Sequence, residues 1–282
     1  MFRDDLLKDH AILVTGGGSG LGRSMARRFC ELGARVSICG RREEVLEAAA
    51  REIGEATGSE VHFRPCDVRD FAAVEAWVEE AAQRLGGVTD LVNNAAGNFL
   101  AQTEKLSPNG FKAVVDIVLH GSFHATLAAG RRMIEGDGGS ILSIVTTYAW
   151  TGSAFVVPSA CGKAGVLAMT RSLAVEWARY GIRCNAIAPG PIPTEGAFSR
   201  LLPPEMEAAA KRKIPLRRFG EHHELANLAS YLLSRESGFV NGEVVTLDGG
   251  EWLNGGEFNH FTQMPSQQID AAFEALRRST RK

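Results

Sequence analysis

Thr15-Gly16-Gly17-Gly18-Ser19-Gly20-Leu21-Gly22 follows a short apolar run at residues 11–14 and opens a segment with helical periodicity. Glycines at such a junction let the backbone turn tightly and approach a pyrophosphate, whose charge is held by the free N–H groups of the helix start. The spacing is Gly-x3-Gly-x-Gly and not the commoner Gly-x-Gly-x-x-Gly. A glycine cluster by itself could be an ordinary turn, but its place at the first strand-to-helix junction favours a dinucleotide site.

Short apolar runs typical of β-strands recur along the rest of the chain, with helical periodicity between them. The predicted strands are residues 11–14, 36–39, 61–64, 91–92, 140–145, 184–188 and 244–247. The predicted helices are residues 21–32, 43–57, 71–85, 111–134, 164–180 and 223–233. This alternation predicts an α/β fold, a Rossmann-type doubly wound parallel sheet of about seven strands with helices on both faces.

No linker or break in composition interrupts the chain before about residue 248. We therefore predict a single nucleotide-binding domain over residues 1–250 and a C-terminal extension over residues 251–282. Apolar residues in the extension recur at i, i+3, i+4 and i+7 behind Ser266 as a possible N-cap, namely Ile269, Ala272, Phe273 and Leu276. They predict a short amphipathic helix that packs on its own domain or on a neighbouring subunit rather than on a membrane.

The chain of 282 residues carries a formal net charge of -2, too little to attract nucleic acid or an anionic membrane surface. Residues 1–10 are charged and leave no room for a signal peptide, and no apolar stretch reaches about 18 residues. Its five cysteines are far apart and include no CxxC pair, which indicates free thiols in a reducing compartment and no metal site. These features predict a cytoplasmic protein without nucleic-acid or membrane contacts.

Four further segments, taken with the glycine motif, resemble the short-chain dehydrogenase/reductase superfamily. They are Asp67-Val68, Asn93-Asn94-Ala95-Ala96-Gly97, Lys163, and Pro189-Gly190-Pro191-Ile192. Each follows a predicted strand or lies in the next helix, where ligands of open α/β sheets bind. The resemblance implies nicotinamide-dinucleotide contacts by Gly16, Gly17, Gly18, Ser19, Gly20, Leu21, Asp67, Val68, Asn94, Ala95, Gly97, Lys163, Pro189, Gly190, Pro191 and Ile192.

The residues after the second predicted strand indicate which dinucleotide is used. NAD enzymes place an acidic residue there for the ribose hydroxyls, about 20 residues after the glycines. Here the chain reads Gly40-Arg41-Arg42. Guanidinium groups suit a 2′-phosphate, so Arg41 and Arg42 favour NADP(H); the alternative is that both are solvated residues at a helix start.

The expected catalytic pattern is altered. Most members of this superfamily carry Tyr-x-x-x-Lys, in which the lysine lowers the tyrosine pKa for proton exchange with a carbonyl oxygen. Here the pattern reads Ser159-Ala160-Cys161-Gly162-Lys163, with Thr146 in the usual serine position and His120 in place of a relay asparagine. The chain is therefore either a nucleotide-binding pseudoenzyme or a reductase whose tyrosine has moved. Cys161 has no visible base and is expected to be a small buried residue.

Tyr148, eleven residues before Ser159, is the candidate for a moved tyrosine. Residues 148–163, 93–99 and 189–200 closely resemble the mitochondrial-type 2,4-dienoyl-CoA reductases. The resemblance implies that Tyr148 and Asn98 hold a thioester oxygen and that Ser159 and Lys163 support the tyrosine and the nicotinamide ribose. It also implies acyl-CoA contacts by Arg69, Phe99, Ser107 and Arg200, and a homotetramer in which helices 111–134 and 164–180 could meet.

Hydride delivered to the distal end of a conjugated dienoyl thioester sends negative charge to the thioester oxygen as a dienolate. A phenol and an amide N–H would form an oxyanion hole for that charge. We therefore expect NADPH-dependent reduction of 2,4-dienoyl-CoA thioesters, as an auxiliary step of fatty-acid β-oxidation. The alternatives are a reductase of another enoyl-CoA or 3-ketoacyl thioester, or the pseudoenzyme. Tyr148 could instead be a packing residue, Asn98 a loop residue bonded to the backbone, and each arginine a surface charge.

Overall fold

The computed structural model describes residues 2–194 and 206–280. Seven strands form one parallel sheet in the order β3-β2-β1-β4-β5-β6-β7. The strands are β1 Ala11–Thr15, β2 Arg35–Gly40, β3 Val61–Pro65, β4 Asp90–Asn93, β5 Gly139–Ile144, β6 Ile182–Pro189 and β7 Val244–Leu247. The predicted Rossmann-type sheet is therefore confirmed, and the order reverses between β1 and β4, where such sheets open a crevice for ligands.

Helices connect successive strands and cover both faces of the sheet. They are α1 Gly20–Glu31, α2 Glu43–Thr57, α3 Phe71–Leu85, α4 Pro108–Val115, α5 Gly121–Glu135, α6 Tyr148–Thr151, α7 Val157–Glu176, α8 Glu207–Lys213, α9 His222–Leu233 and α10 Ser266–Ser279. A π-helical turn, Asp116–His120, joins α4 to α5. Two 3₁₀ turns, Glu251–Gly255 and Asn259–Gln263, lie between β7 and α10.

The core is divided by the sheet into two apolar layers. Every residue of β1 is buried, and its alternate side chains point to opposite faces. Ile12 packs with Phe29 of α1 in one layer, and Leu13 packs with Trp77 of α3 and Met133 of α5 in the other. Each fully buried side chain of this size stabilises the fold by roughly 1.5–3 kcal/mol. These two layers hold the carboxyl ends of the strands in fixed positions.

Several element boundaries differ from the sequence prediction. Helix α7 begins at Val157, not at residue 164, because Pro158 in its first turn has a backbone φ already suited to a helix start. Helices α6 and α8 are too short to produce a periodic pattern. Pro265, not the predicted Ser266, is the N-cap of α10, and Ser266 is its first helical residue.

One helical stretch, residues 108–135, is long and apolar enough to cross a membrane. Half of its most apolar part is buried inside the protein. Ala125 and Met133 of this stretch are buried in the layer that contains Leu13 and Trp77. Val118 is buried in a smaller apolar cluster with Val145 and Val166. The apolar character of the stretch is thus that of a core helix in the crossover between β4 and β5.

Candidate active site

The glycine loop after β1 contains backbone conformations and close contacts that require glycine. Gly16 and Gly20 have φ of +67° and +53°, in the left-handed region that favours glycine. A Cβ on Gly22 would lie 2.3 Å from the Gly16 carbonyl oxygen. Helix α1 can therefore begin directly against the loop only because position 22 is glycine.

The segment after β4 fixes this loop in place. The Asn94 side-chain amide donates to the carbonyl oxygens of Thr15 and Gly16 at 3.0 and 3.3 Å. The hydroxyl of Thr15 accepts hydrogen bonds from the backbone N–H groups of Asn94 and Ala95 at 3.0 and 2.9 Å. The predicted cofactor residues of two strands thus form one unit. Thr15 is not among the predicted cofactor residues, although its place at the end of β1 was a usable signal.

The start of α1 fits a pyrophosphate. Ser19 is the N-cap but makes no side-chain hydrogen bond to the first-turn N–H groups, and the first turn contains no acidic residue. Such a helix start offers free N–H donors and the positive end of the helix dipole to an anion. Gly16–Leu21 could therefore hold the diphosphate of a dinucleotide.

Two exposed arginines, Arg41 and Arg42, follow β2 at the position where the adenosine ribose would lie. Over residues 2–194 and 206–280, neither guanidinium forms a hydrogen bond or an ion pair. Arg41 interacts electrostatically with the carboxylate of Asp67 and helps to lower its pKa, but Asp67 forms its ion pair with Arg69. The guanidinium donors of Arg41 and Arg42 could therefore bind a phosphate.

Asp67, after β3, forms a close ion pair with Arg69. The guanidinium of Arg69 donates to both carboxylate oxygens, with Nη2 to Oδ2 at 2.5 Å and Nε to Oδ1 at 3.0 Å. These bonds hold the pKa of the Asp67 carboxyl below its usual value. Sequence reasoning assigned Asp67 to the nucleotide and Arg69 to coenzyme A. The ion pair links these two predicted roles. Arg69 can offer a phosphate only those N–H groups that do not already bond to Asp67.

The remaining predicted cofactor residues line the same edge of the sheet. Val68 is buried against Gly121 of α5, and its carbonyl oxygen bonds to His124 at 2.9 Å. A Cβ on Gly190, after β6, would lie 2.7 Å from the Asp248 Cβ atom, and the backbone N–H of Gly190 donates to Leu247. Residues 189–192 are thereby joined to the end of β7.

Helices α6 and α7 bring three of the four predicted catalytic residues together. Ser159 and Lys163 lie one turn apart on the same face of α7 and are 2% and 6% exposed. Tyr148 begins α6 and is half-buried. Its hydroxyl lies 3.0 Å from the Ser159 hydroxyl, within hydrogen-bond distance. The tyrosine that is eleven residues away in sequence thus reaches the face of α7 that carries the lysine.

Lys163 donates through Nζ to the carbonyl oxygen of Ile144, the last residue of β5. Burial lowers the pKa of its ammonium from 10.5 to about 8, because the charged form loses its hydration. A cation with this pKa remains mostly protonated at neutral pH and can still exchange a proton. The Ile144 carbonyl was not anticipated, since a backbone contact leaves no mark in the sequence.

His120, the residue expected in place of a relay asparagine, is exposed, and its Nδ1 lies 3.0 Å from the carboxylate of Asp116. It makes no hydrogen bond to Ser159 or Lys163. Two other residues of the same turn, Val118 and Leu119, pack on α7. A Cβ on Gly162 would lie 3.0 Å from the side chain of Val118, and a Cβ on Gly165 would lie 2.9 Å from that of Leu119.

Asn98 lies in the loop after β4 and is exposed. Its Oδ1 accepts a hydrogen bond from the Phe99 backbone N–H at 2.9 Å, and no bond joins it to Tyr148. Its side-chain N–H₂ group faces no hydrogen-bond acceptor among the residues that the structure describes. Asn98 and Tyr148 follow adjacent strands, β4 and β5, at the same edge of the sheet.

Two predicted acyl-CoA residues converge at Gly110, in the first turn of α4. A Cβ on Gly110 would lie 3.4 Å from the Ser107 Oγ and 3.6 Å from the Phe99 ring. Ser107 is the N-cap of α4 and accepts a hydrogen bond from the Gly110 N–H at 3.1 Å. Its hydroxyl proton therefore points elsewhere. Arg200, the remaining predicted contact, lies outside the described residues.

The expectation of a buried Cys161 is wrong. Cys161 is exposed on α7, between Ser159 and Lys163 in sequence but on another face of the helix. The apolar composition around it concealed this orientation, because α7 is apolar on most of its circumference. The other four cysteines are buried free thiols.

Comparison with known proteins shows the family to which the chain is related. Residues 16–251 match the family model described as enoyl-(acyl carrier protein) reductase. A probable 2,4-dienoyl-CoA reductase of Bacillus subtilis is 46% identical over 88% of this chain and 98% of its own length. A peroxisomal 2,4-dienoyl-CoA reductase of Arabidopsis thaliana is 39% identical over 99% of this chain and 95% of its own.

Among solved structures, a short-chain dehydrogenase from Bacillus anthracis has a TM-score of 0.82 and 44% sequence identity, covering 89% of this chain and 99% of its own. Fold, glycine loop and lysine-bearing helix therefore define a nicotinamide-nucleotide oxidoreductase. The chain belongs to the short-chain dehydrogenase/reductase family.

Proposed function

We propose that the protein uses NADPH to reduce 2,4-dienoyl-CoA thioesters to enoyl-CoA thioesters. The observation that carries this proposal is the hydrogen-bond distance of 3.0 Å between the Tyr148 and Ser159 hydroxyls, one helical turn from Lys163. A serine stands where an alcohol dehydrogenase of this family would have its tyrosine. The phenol instead approaches from α6, at a different position in the crevice.

The chemistry follows from where this phenol lies. When bound, NADPH supplies the hydride. Tyr148 would donate its hydroxyl proton in a hydrogen bond to the thioester oxygen, with the Asn98 N–H₂ group as a second donor. Ser159 would remain neutral and would orient the phenol. The Lys163 ammonium would hold the nicotinamide ribose. Neutral donors directed at a developing oxyanion lower the barrier to forming the dienolate. The dienolate would then take up one proton at carbon, from water or from the Tyr148 hydroxyl, to give the enoyl thioester.

The choice of NADPH over NADH rests on Arg41 and Arg42. Two exposed guanidinium groups without ion-pair partners in the described part of the chain suit the 2′-phosphate that only NADPH carries. For coenzyme A we retain Arg69, Phe99, Ser107 and Arg200 as the predicted contacts. Phe99 and Ser107 approach each other at Gly110, which supports their assignment to one ligand.

The test is a steady-state comparison of NADPH oxidation with a dienoyl-CoA, a mono-unsaturated enoyl-CoA and a 3-ketoacyl-CoA of equal chain length. We expect the dienoyl ester to have the highest kcat/KM. Tyr148→Phe should reduce this value, whereas Tyr180→Phe, a change at an exposed tyrosine, should not. Faster turnover of the 3-ketoacyl ester, or no turnover of the dienoyl ester, would contradict the proposal.

A second candidate is the reduction of a different enoyl thioester, favoured by the match to the family model of enoyl-(acyl carrier protein) reductase. The same panel separates the two functions, because an ordinary enoyl reductase would turn over the mono-unsaturated ester at least as fast as the dienoyl ester. If the protein is a nucleotide-binding pseudoenzyme, it should bind NADPH and turn over none of the esters.

The assembly, location and domain limits also remain proposals. We infer a homotetramer in which α5 and α7 meet a second copy, supported by the exposed side chains of Phe123 and Val175 on these helices. Light scattering after size exclusion would measure the assembly, and imaging of a tagged protein would test the predicted cytoplasmic location. Limited proteolysis would test the division into residues 1–250 and 251–282.

A further inference from the structure

The C-terminal extension contacts the helix that carries Tyr148. The ring of Trp252 meets the ring of Trp150 edge to face, with centroids 5.8 Å apart and an interplanar angle of 90°. Trp150 follows Tyr148 by two residues in the four-residue helix α6. Edge-to-face aromatic pairs are favourable contacts of defined geometry. Residues beyond the Rossmann sheet thus contact the short helix that begins with Tyr148.

Trp252 is held in this position by the domain. Asp248, directly after β7, accepts hydrogen bonds from the backbone N–H groups of Gly250 and Trp252, each at 2.8 Å. Further along, the Asn254 side chain donates to the carbonyl oxygen of Lys213 at 2.7 Å, and Arg217 donates to Gln263 at 2.8 Å. The first part of the extension is therefore bonded to the end of the sheet and to the region of α8.

The aromatic pair leaves much of its surface in solvent. Trp150 and Trp252 are 38% and 43% exposed. Phe155, which follows α6, is 55% exposed and has a φ of +66°, a strained value for this residue type. Its carbonyl oxygen accepts a hydrogen bond at 2.9 Å from the N–H of Ala101, in the loop of Asn98. Phe99 of that loop is 41% exposed, so exposed aromatic side chains lie on both segments that carry the candidate oxyanion donors. Exposed apolar groups of this kind are common at sites that bind an apolar ligand.

We propose that Trp150 and Trp252 form a wall along which the hydrocarbon chain of the acyl thioester lies, so that the C-terminal extension determines the preferred acyl length. This inference rests on the proposed function, because it takes the thioester oxygen to lie at the Tyr148 hydroxyl. In the proposed arrangement the acyl chain would pass from Tyr148 around α6 to Trp150 and then to Trp252. Short chains end before Trp252, whereas longer chains bury its ring.

The experiment compares Trp252→Ala with the unaltered protein on hexa-2,4-dienoyl-CoA and deca-2,4-dienoyl-CoA. We expect kcat/KM for the decadienoyl ester to fall about tenfold, the effect of losing part of one large apolar contact, and that for the hexadienoyl ester to change little. Trp252→Phe should retain most of the preference for the longer ester. Phe258→Ala removes a more exposed aromatic residue of the same extension and should change neither value.

A second readout does not depend on reduction. Calorimetry with the saturated esters decanoyl-CoA and hexanoyl-CoA should show that Trp252→Ala weakens the binding of decanoyl-CoA only. If Trp252→Ala weakens decanoyl-CoA binding but no dienoyl ester is reduced, the proposed acyl contact is supported and the proposed function is refuted. An equal loss of affinity for both esters, or no loss for either, would refute the proposed contact. So would dissociation of the assembly by Trp252→Ala with unchanged chain-length preference, since the surface would then be a contact between copies.

Discussion

Replacing Tyr148 by phenylalanine removes one hydroxyl and keeps the ring. If this hydroxyl stabilises the dienolate, kcat should fall by about 10²–10³, or roughly 2.7–4 kcal/mol, the range found when one oxyanion-hole donor is removed from other enzymes. The effect on folding should be smaller. The variant loses the bond across the 3.0 Å between the Tyr148 and Ser159 hydroxyls, which contributes about 0.5–1.5 kcal/mol.

The assay combines stopped-flow NADPH oxidation, NADPH titration and thermal unfolding of the same preparations. We expect unchanged NADPH affinity, a melting temperature lowered by only a few degrees, and the large loss confined to kcat. Ser159→Ala keeps the phenol but removes its partner, and should lower kcat less than Tyr148→Phe. Ser159→Tyr should not rescue Tyr148→Phe, because position 159 is 2% exposed and has no room for a second ring. Full activity of Tyr148→Phe, or rescue by Ser159→Tyr, would refute the reasoning.

Arg41→Ala should raise the KM for NADPH about tenfold and leave the KM for NADH nearly unchanged, since only NADPH carries the 2′-phosphate. Arg51→Ala, at an exposed arginine within α2, is the control. Equal effects of Arg41→Ala on both cofactors would contradict the assignment. Gly22→Ala should abolish NADPH binding and lower the free energy of unfolding by about 1–3 kcal/mol, because its Cβ would lie 2.3 Å from the Gly16 carbonyl oxygen. Gly255→Ala is the control and should be neutral, because a Cβ there meets nothing within 4 Å. Burial of Lys163 makes the unfolded state bind more protons than the folded state between pH about 8 and 10.5, so the fold should gain about 3 kcal/mol as pH rises through this window. Denaturant unfolding of the cofactor-free protein should show this gain, and Lys163→Met should lack it; parallel pH curves for the two proteins would contradict it.

The parallel sheet could be predicted from the sequence alone, because alternating apolar runs and amphipathic segments leave few other ways to bury their surfaces. The sequence also located the glycine loop, whose position between the first strand and helix is a local property of the chain. Both features depend on neighbours in sequence, and both were predicted within a few residues.

Features that depend on orientation became visible only in the folded protein. Val118 is buried and His120 exposed in the same turn, and Cys161 points away from the core, because a helix position becomes buried or exposed only through the element packed against it. The contact of Trp252 with Trp150 joins residues about a hundred positions apart, and the bond from Lys163 ends on a backbone carbonyl. Neither leaves a periodic signal in the sequence, since the distance along the chain carries no information on the distance across the end of the sheet.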